Sequence, residues 1–154
     1  MAEKLKYDVA SVLERETQHT ITRWYARVED EADLVKVPLT REERCAHLPE
    51  MFRDLVLRLR NPLPLGSRAL TSSAAHNHGC LRRDQGYTAA MMVEESRMLQ
   101  VSIFETLQSH MEETDSGVLL LRIMAIADEV DSQLAQAMTS YISEANHDGG
   151  PEKP

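Results

Sequence analysis

The sequence predicts an all-α protein: a single helical-bundle domain of about five to six helices. Three observations carry this. Apolar residues recur at spacings of three and four through most of the 154 residues, and no segment alternates apolar and polar residues as a half-buried strand does. Glycine and proline are scarce, six of each, which leaves little chain for long irregular stretches. Leu, Ala, Met, Glu and Arg are plentiful while aromatic residues are 5% of the chain, a mix that favours helices over strands. A chain of this length buries about two thirds of the surface its unfolded form exposes. It therefore builds a core without metal or disulfide staples.

Taken in order, the first helix is expected over residues 4–28, with Ala10, Leu13, Thr17, Ile21, Trp24 and Val28 on one face and a more polar middle, Thr17-Gln18-His19-Thr20. Residues 29–37 read as a charged connection without a period. Thr40-Arg41-Glu42-Glu43 is a capping box that starts the next helical stretch. Pro49 then removes a backbone donor and pushes Leu48 from helical angles, so a kink or restart is expected there. The restarted segment carries Met51, Phe52, Leu55, Val56 and Leu59 inward, and Asn61-Pro62-Leu63-Pro64-Leu65-Gly66 ends it. A third helix starts near Ser67 or Ser72, passes His76, His78 and Arg82, and ends at Gly86. The fourth is expected from Thr88 to His110 with Met92, Ser96, Leu99, Ile103 and Leu107 inward. Asp115 or Ser116 caps the fifth, whose stripe is Ile123, Ala127, Val130, Leu134, Ala137 and Tyr141. The domain is expected to span residues 1–145, followed by a disordered tail over 146–154, which is polar and rich in Gly and Pro.

Charge narrows the function. Seventeen basic and twenty-five acidic residues give a formal net charge of −8. Such a domain repels phosphate backbones and anionic lipid, so neither nucleic acid nor a membrane is an expected partner. No apolar run approaches the roughly 20 residues that span a bilayer. The first residues, Met1-Ala2-Glu3-Lys4-Leu5, lack a signal-peptide pattern, and Cys45 and Cys80 are too few for a disulfide framework. A cytoplasmic location is expected.

Candidate chemistry is thin, and no enzyme is expected. Ala75-His76-Asn77-His78-Gly79-Cys80 holds three zinc-type ligands, but His76 and His78 point to different sides of a helix, and no CxxC or HExxH supplies a second half. A histidine phosphotransfer protein is an alternative, yet the basic residue and the glycine around His78 stand in the wrong order for one. A ligand- or metal-binding helical bundle is the other. Haem needs an aromatic-lined pocket that two Phe, one Trp and four Tyr scarcely furnish. No catalytic residue, no metal ligand set and no cofactor is expected: there is no nucleophile elbow or phosphate loop. Ile123, Val130 and Ala137 recur every seven residues, with Ala127, Leu134 and Tyr141 offset by four. This seam suits a parallel homodimer, or is the domain's own core.

Three segments carry a resemblance: His47-Leu48-Pro49-Glu50, His78-Gly79-Cys80-Leu81-Arg82-Arg83-Asp84-Gln85-Gly86 and Val93-Glu94-Glu95-Ser96-Arg97-Met98-Leu99. Together they resemble the N-terminal domain of RsbRD-type proteins, the RsbT co-antagonists of bacterial stress signalling, which also occurs at the N-termini of sensor histidine kinases. The family pattern is a helix with a leucine-proline step, an HG-x-x-R-x-x-x-G segment, and a helix with a Glu–Arg–Leu register. The resemblance spans residues 21–141; Ser96 departs from it, standing where an aromatic residue is the norm. It implies an all-helical sensory module, globin-like without haem, that passes a signal to a C-terminal kinase or STAS output domain.

Within the central segment, His78 and Arg82 lie one turn apart on one helical face. A carboxylate on the following helix, Glu94 ahead of Glu95, is expected to pair with a buried Arg82 across the turn at Gly86. His78, Arg82 and Glu94 thus form a ligand site or a structural brace. Gly79 is expected to let its helix approach a neighbour closely.

Overall fold

The computed structural model describes residues 7–67 and 71–148, with residues 144–148 as backbone only. Its elements are α1 (Val9–Arg15), α2 (Thr17–Glu29), α3 (Ala32–Val35), α4 (Arg41–Cys45), α5 (Leu48–Arg60), α6 (Ser73–Asp84), α7 (Ala89–Ser109) and α8 (Leu119–Asp148), with 3₁₀ turns at Met111–Glu113 and Ser116–Val118. The chain is an all-α helical bundle. No strand occurs among the described residues; a lone bridge joins Tyr7 to Thr114.

Among the described residues there are eight helices, against the five or six expected, for local reasons. The first expected helix is two. Glu16 turns the chain (φ −95°, ψ 13°) between α1 and α2. The Thr17 hydroxyl takes up the loosened carbonyls of Leu13 at 2.8 Å and Glu14 at 3.1 Å, a back-bond that bends helices. Periodicity passes through this bend unbroken, because Leu13, Ile21, Trp24 and Val28 all remain buried. Residues 1–6, where that helix was expected to begin, lie outside the described residues, and Asp8 caps α1 through the Ser11 amide at 2.7 Å. The charged connection holds the single turn α3, which buries Leu34.

Other stops fall where the residues place them. Thr40 and Glu43 form the capping box of α4. Pro49 sits in the first turn of α5, whose inner face is Leu48, Met51, Phe52, Leu55, Val56 and Leu59. Ser72 caps α6 through the Ala75 amide at 3.1 Å. Asp115 caps the 3₁₀ turn that leads into α8. The backbone of α8 continues through residues 146–148, into the stretch expected to be tail; residues 149–154 lie outside the described residues.

Three helix pairs make the core: α1 on α5, α2 on α7, and α6 along α8. The α2–α7 contact uses small polar groups. Thr20 and Thr106, both fully buried, share a 2.8 Å hydrogen bond. The α6–α8 contact is set by Gly79. A methyl group on its Cα would lie 2.0 Å from the Ala137 carbonyl oxygen and 2.2 Å from Ser140 Oγ. Glycine alone lets the two backbones come this close. The stripe expected on α8 divides: Val130, Ala137 and Tyr141 are buried, whereas Ile123, Ala127 and Leu134 are half-buried. The buried face is Ile126, Glu129, Val130, Gln133, Ala137 and Ser140. Among the described residues, no helix is long and apolar enough to cross a membrane.

Candidate functional site

The turn between α6 and α7 assembles the first polar cluster. Gly86 takes φ +88°, a left-handed conformation suited to glycine. The Tyr87 amide closes the turn on the Arg82 carbonyl at 3.0 Å. This reversal brings Arg82 of α6 within reach of Glu95 of α7. Arg82 is fully buried. Its Nε and Nη2 donate to Glu95 Oε1 at 3.1 and 2.7 Å. Nη2 also reaches the Arg44 carbonyl at 2.6 Å, and Nη1 the Gln85 side chain at 2.7 Å. The guanidinium lies over the Tyr87 ring, 4.6 Å from its centre. A buried charge needs this many partners to be tolerated.

His78, one turn earlier on α6, brings Nε2 to 3.5 Å from Glu95 Oε1. The His47 ring meets it edge-on at 5.9 Å. Burial pushes the Glu95 carboxyl up, but His78 and Arg82 outweigh it and hold the group below the usual glutamate value. Burial holds His47 below the usual imidazole value, with His78 adding to the effect. Burial and the nearby Glu95 raise the Tyr87 phenol. Around the cluster, the Trp24 indole donates to the Glu95 carbonyl at 3.0 Å, and the Tyr141 hydroxyl to the Tyr87 carbonyl at 2.6 Å. Arg44, itself buried, donates to the Tyr87 hydroxyl and, at 2.8 Å, to the Val37 carbonyl. Among the described residues, Glu95 Oε2, His47 Nδ1 and Arg44 Nε are buried and have no hydrogen-bond partner.

The expected partner of Arg82 is corrected: it is Glu95, not Glu94. Glu94 points outward and pairs with Arg97 along the helix surface. Adjacent helical residues diverge by about 100°. The inner face of α7 is Met92, Glu95, Met98, Leu99, Ser102 and Ile103. Ser96, expected inward, is only half-buried. The expected burial of Arg82, its bond to the next helix and the position of His78 all match the geometry.

A cavity of about 30 Å³ adjoins His78 and Glu95, bounded by Trp24, Met51, Met92 and Leu134. It has room for a water molecule. The arrangement as it stands is a brace that holds α4, α6 and α7 in register, with a small cavity at its α8 side.

A second buried cluster escaped the sequence reading. Arg58 of α5 and Glu129 and Gln133 of α8 are each at most 4% exposed. Arg58 donates to the Leu63 carbonyl at 3.1 Å and faces Asp128 at 3.5 Å and Glu129 at 3.9 Å. Gln133 donates to the Met51 carbonyl at 3.0 Å. Burial pushes the Glu129 carboxyl up to about 7; Arg58 pulls against this, and Asp54 and Asp128 push with it. The signal was present in the sequence: Ile126, Glu129, Val130, Gln133 and Ala137 follow the three-four spacing. Residue type favours the neighbouring apolar register, because Glu129 and Gln133 interrupt this one.

Among the described residues, no group of three or more His, Cys, Asp or Glu side chains is placed to hold a metal ion. His76 Nε2 and Cys80 Sγ are 3.9 Å apart, a pair on their own. Cys45 and Cys80 are unpaired. Comparison of the chain with protein-family models, curated proteins and solved structures gives no match.

Proposed function

We propose that this chain is a non-enzymatic, cytoplasmic input domain of a bacterial signalling protein, which relays a signal through α8 to a C-terminal kinase or STAS output domain. One observation carries the reading: α8 borders both buried polar clusters. Leu134 and Gln133 border the cavity beside His78 and Glu95. The Ser140 hydroxyl donates to the His76 carbonyl at 2.8 Å, and Tyr141 holds the α6–α7 turn. Glu129 faces Arg58 on α5. A shift in any of these contacts displaces one rod of 30 residues, about 45 Å long.

The resemblance to RsbRD-type domains supports the same reading. So does the outer face of α8, where Leu120, Leu121, Met124 and Ile142 are 72%, 56%, 44% and 52% exposed. Apolar exposure along one helix suits a parallel homodimer that couples two output domains. The phosphotransfer alternative is weakened at His78, which is buried against Glu95; phosphate labelling of His76 would revive it.

The test joins the chain to a histidine-kinase core through α8, with one to seven helix-forming residues inserted at the junction. Autophosphorylation that rises and falls with a period of about 3.5 residues is expected of a relaying helix. A flat response overturns the reading. Sedimentation showing only monomer at high micromolar concentration removes the homodimer.

A further inference from the structure

We propose that Glu129 is a proton-binding site that seats α8 on α5 when protonated and loosens it when ionised. The geometry is that of a carboxyl with too few partners. Glu129 is 4% exposed, yet its nearest donor, Gln133 Nε2, stands at 3.5 Å and Arg58 Nε at 3.9 Å. Gln133 makes its shorter bond to the Met51 carbonyl, and Arg58 to the Leu63 carbonyl. The one guanidinium also serves Asp128, 3.5 Å away.

Among the described residues, the charged groups that face Glu129 are Arg58 and Asp54 from α5 and Asp128 from its own helix. Asp54 accepts the Ser72 hydroxyl at 2.6 Å and Asp128 the Gly66 amide at 3.1 Å, so both have a closer donor than Glu129 has. Of these three carboxyls one lacks a close donor, and that member carries the proton. That member is Glu129, and burial raises its carboxyl to about 7. Ionisation leaves a buried carboxylate that must draw Arg58 from the Leu63 carbonyl or admit water between α5 and α8. Gln133, one turn on, carries the disturbance to the cavity beside His78. The proton site stands or falls independently of the signalling reading.

The sign follows from linkage. A glutamate released by unfolding ionises near 4.5, whereas folded Glu129 keeps its proton to about 7. The folded state binds more protons in that window, so stability falls as pH rises through it. The experiment follows the side-chain carboxyl carbons by NMR in the unaltered protein and compares its thermal melts with those of Glu129→Gln from about pH 5 to pH 8. One glutamate carboxyl titrating near neutrality, absent from Glu129→Gln, is expected, together with a Tm that drops less with pH in the variant. Amide exchange along α8 near Glu129, corrected for intrinsic rate, should quicken at the higher pH in the native chain alone. A carboxyl titrating below about pH 5, or equal pH dependence of both proteins, overturns the proposal. Exchange that is insensitive to pH while the carboxyl titrates near neutrality also overturns it, leaving a proton site without a conformational effect. Every other titratable group is common to both proteins, so the difference isolates Glu129.

Discussion

Two buried arginine–glutamate pairs in this protein have opposite electrostatic outcomes. Arg82 approaches Glu95 with two nitrogens, at 2.7 and 3.1 Å, and the carboxyl is held below its usual value. Arg58 stands 3.9 Å from Glu129, and that carboxyl is pushed up to about 7. Burial is alike, 4% exposure for each glutamate. What differs is the number and closeness of donors. His78 and two charge-assisted hydrogen bonds from Arg82 offset the desolvation of Glu95; a guanidinium shared with Asp128 and the Leu63 carbonyl does not offset that of Glu129. An arginine near a carboxylate is therefore no guarantee of an ion pair.

The contrast predicts a ranked set of mutational effects. Arg82→Ala leaves the buried Glu95 carboxylate without its cation and is expected to cost about 3–5 kcal/mol in urea unfolding. A cost under about 1 kcal/mol would mean that Glu95 protonates as readily as Glu129, and the contrast would dissolve. Gly79→Ala is expected next, at roughly 1–3 kcal/mol, because a methyl group must displace the backbone of α8 from α6. A melt unchanged by this variant would show that the α6–α8 approach is not fixed at that point. Arg58→Ala is expected to cost less than Arg82→Ala, about 1–2 kcal/mol near pH 6, since Glu129 is neutral there and chiefly the bond to the Leu63 carbonyl is lost. The same variant should cost more at pH 8, where Glu129 is ionised. Equal losses at both pH values would break the assignment of the proton to Glu129. Glu94→Ala is expected to fall within about 0.5 kcal/mol, as befits an exposed pair along a helix surface. A loss comparable to that of Arg82→Ala would restore the partner that the sequence alone favoured.

The choice between Glu94 and Glu95 turns on helical phase. The segment around Arg82 marked a carboxylate on the next helix as its partner, and that much is in the structure. Choosing between adjacent glutamates required the rotational phase of α7. Met92, Leu99 and Ile103 set that phase, and it puts Glu95, three after Met92 and four before Leu99, on the inner side and Glu94 nearly opposite, so the expectation of Glu94 conflicts with the expected register itself. The observed inner face shares Met92, Leu99 and Ile103 and adds Glu95, Met98 and Ser102. An error of one position in a helix is about 100°, enough to turn a buried residue into a surface one. The second cluster was missed for a related reason. Arg58 stands between Leu57 and Leu59, and Leu57 is exposed whereas Arg58 is buried, the reverse of what residue type suggests.

Sequence by itself determined the elements. Three-four periodicity, the Thr40–Glu43 capping box, Pro49 at a helix start and Gly86 at a reversal are local features, and their physical causes act within a few residues. The need for glycine at position 79 was also legible as a close approach, though not the helix that approaches. Tertiary structure decided what no local rule contains: that α8 meets Gly79 at Ala137, and that Arg82 closes on Glu95 while Arg58 stays apart from Glu129. The bend at Glu16 is intermediate, a local break hidden because the apolar face continues across it. Pairing energies depend on tenths of an ångström and on every donor competing for the same oxygen, and these are set when helices distant in sequence pack together.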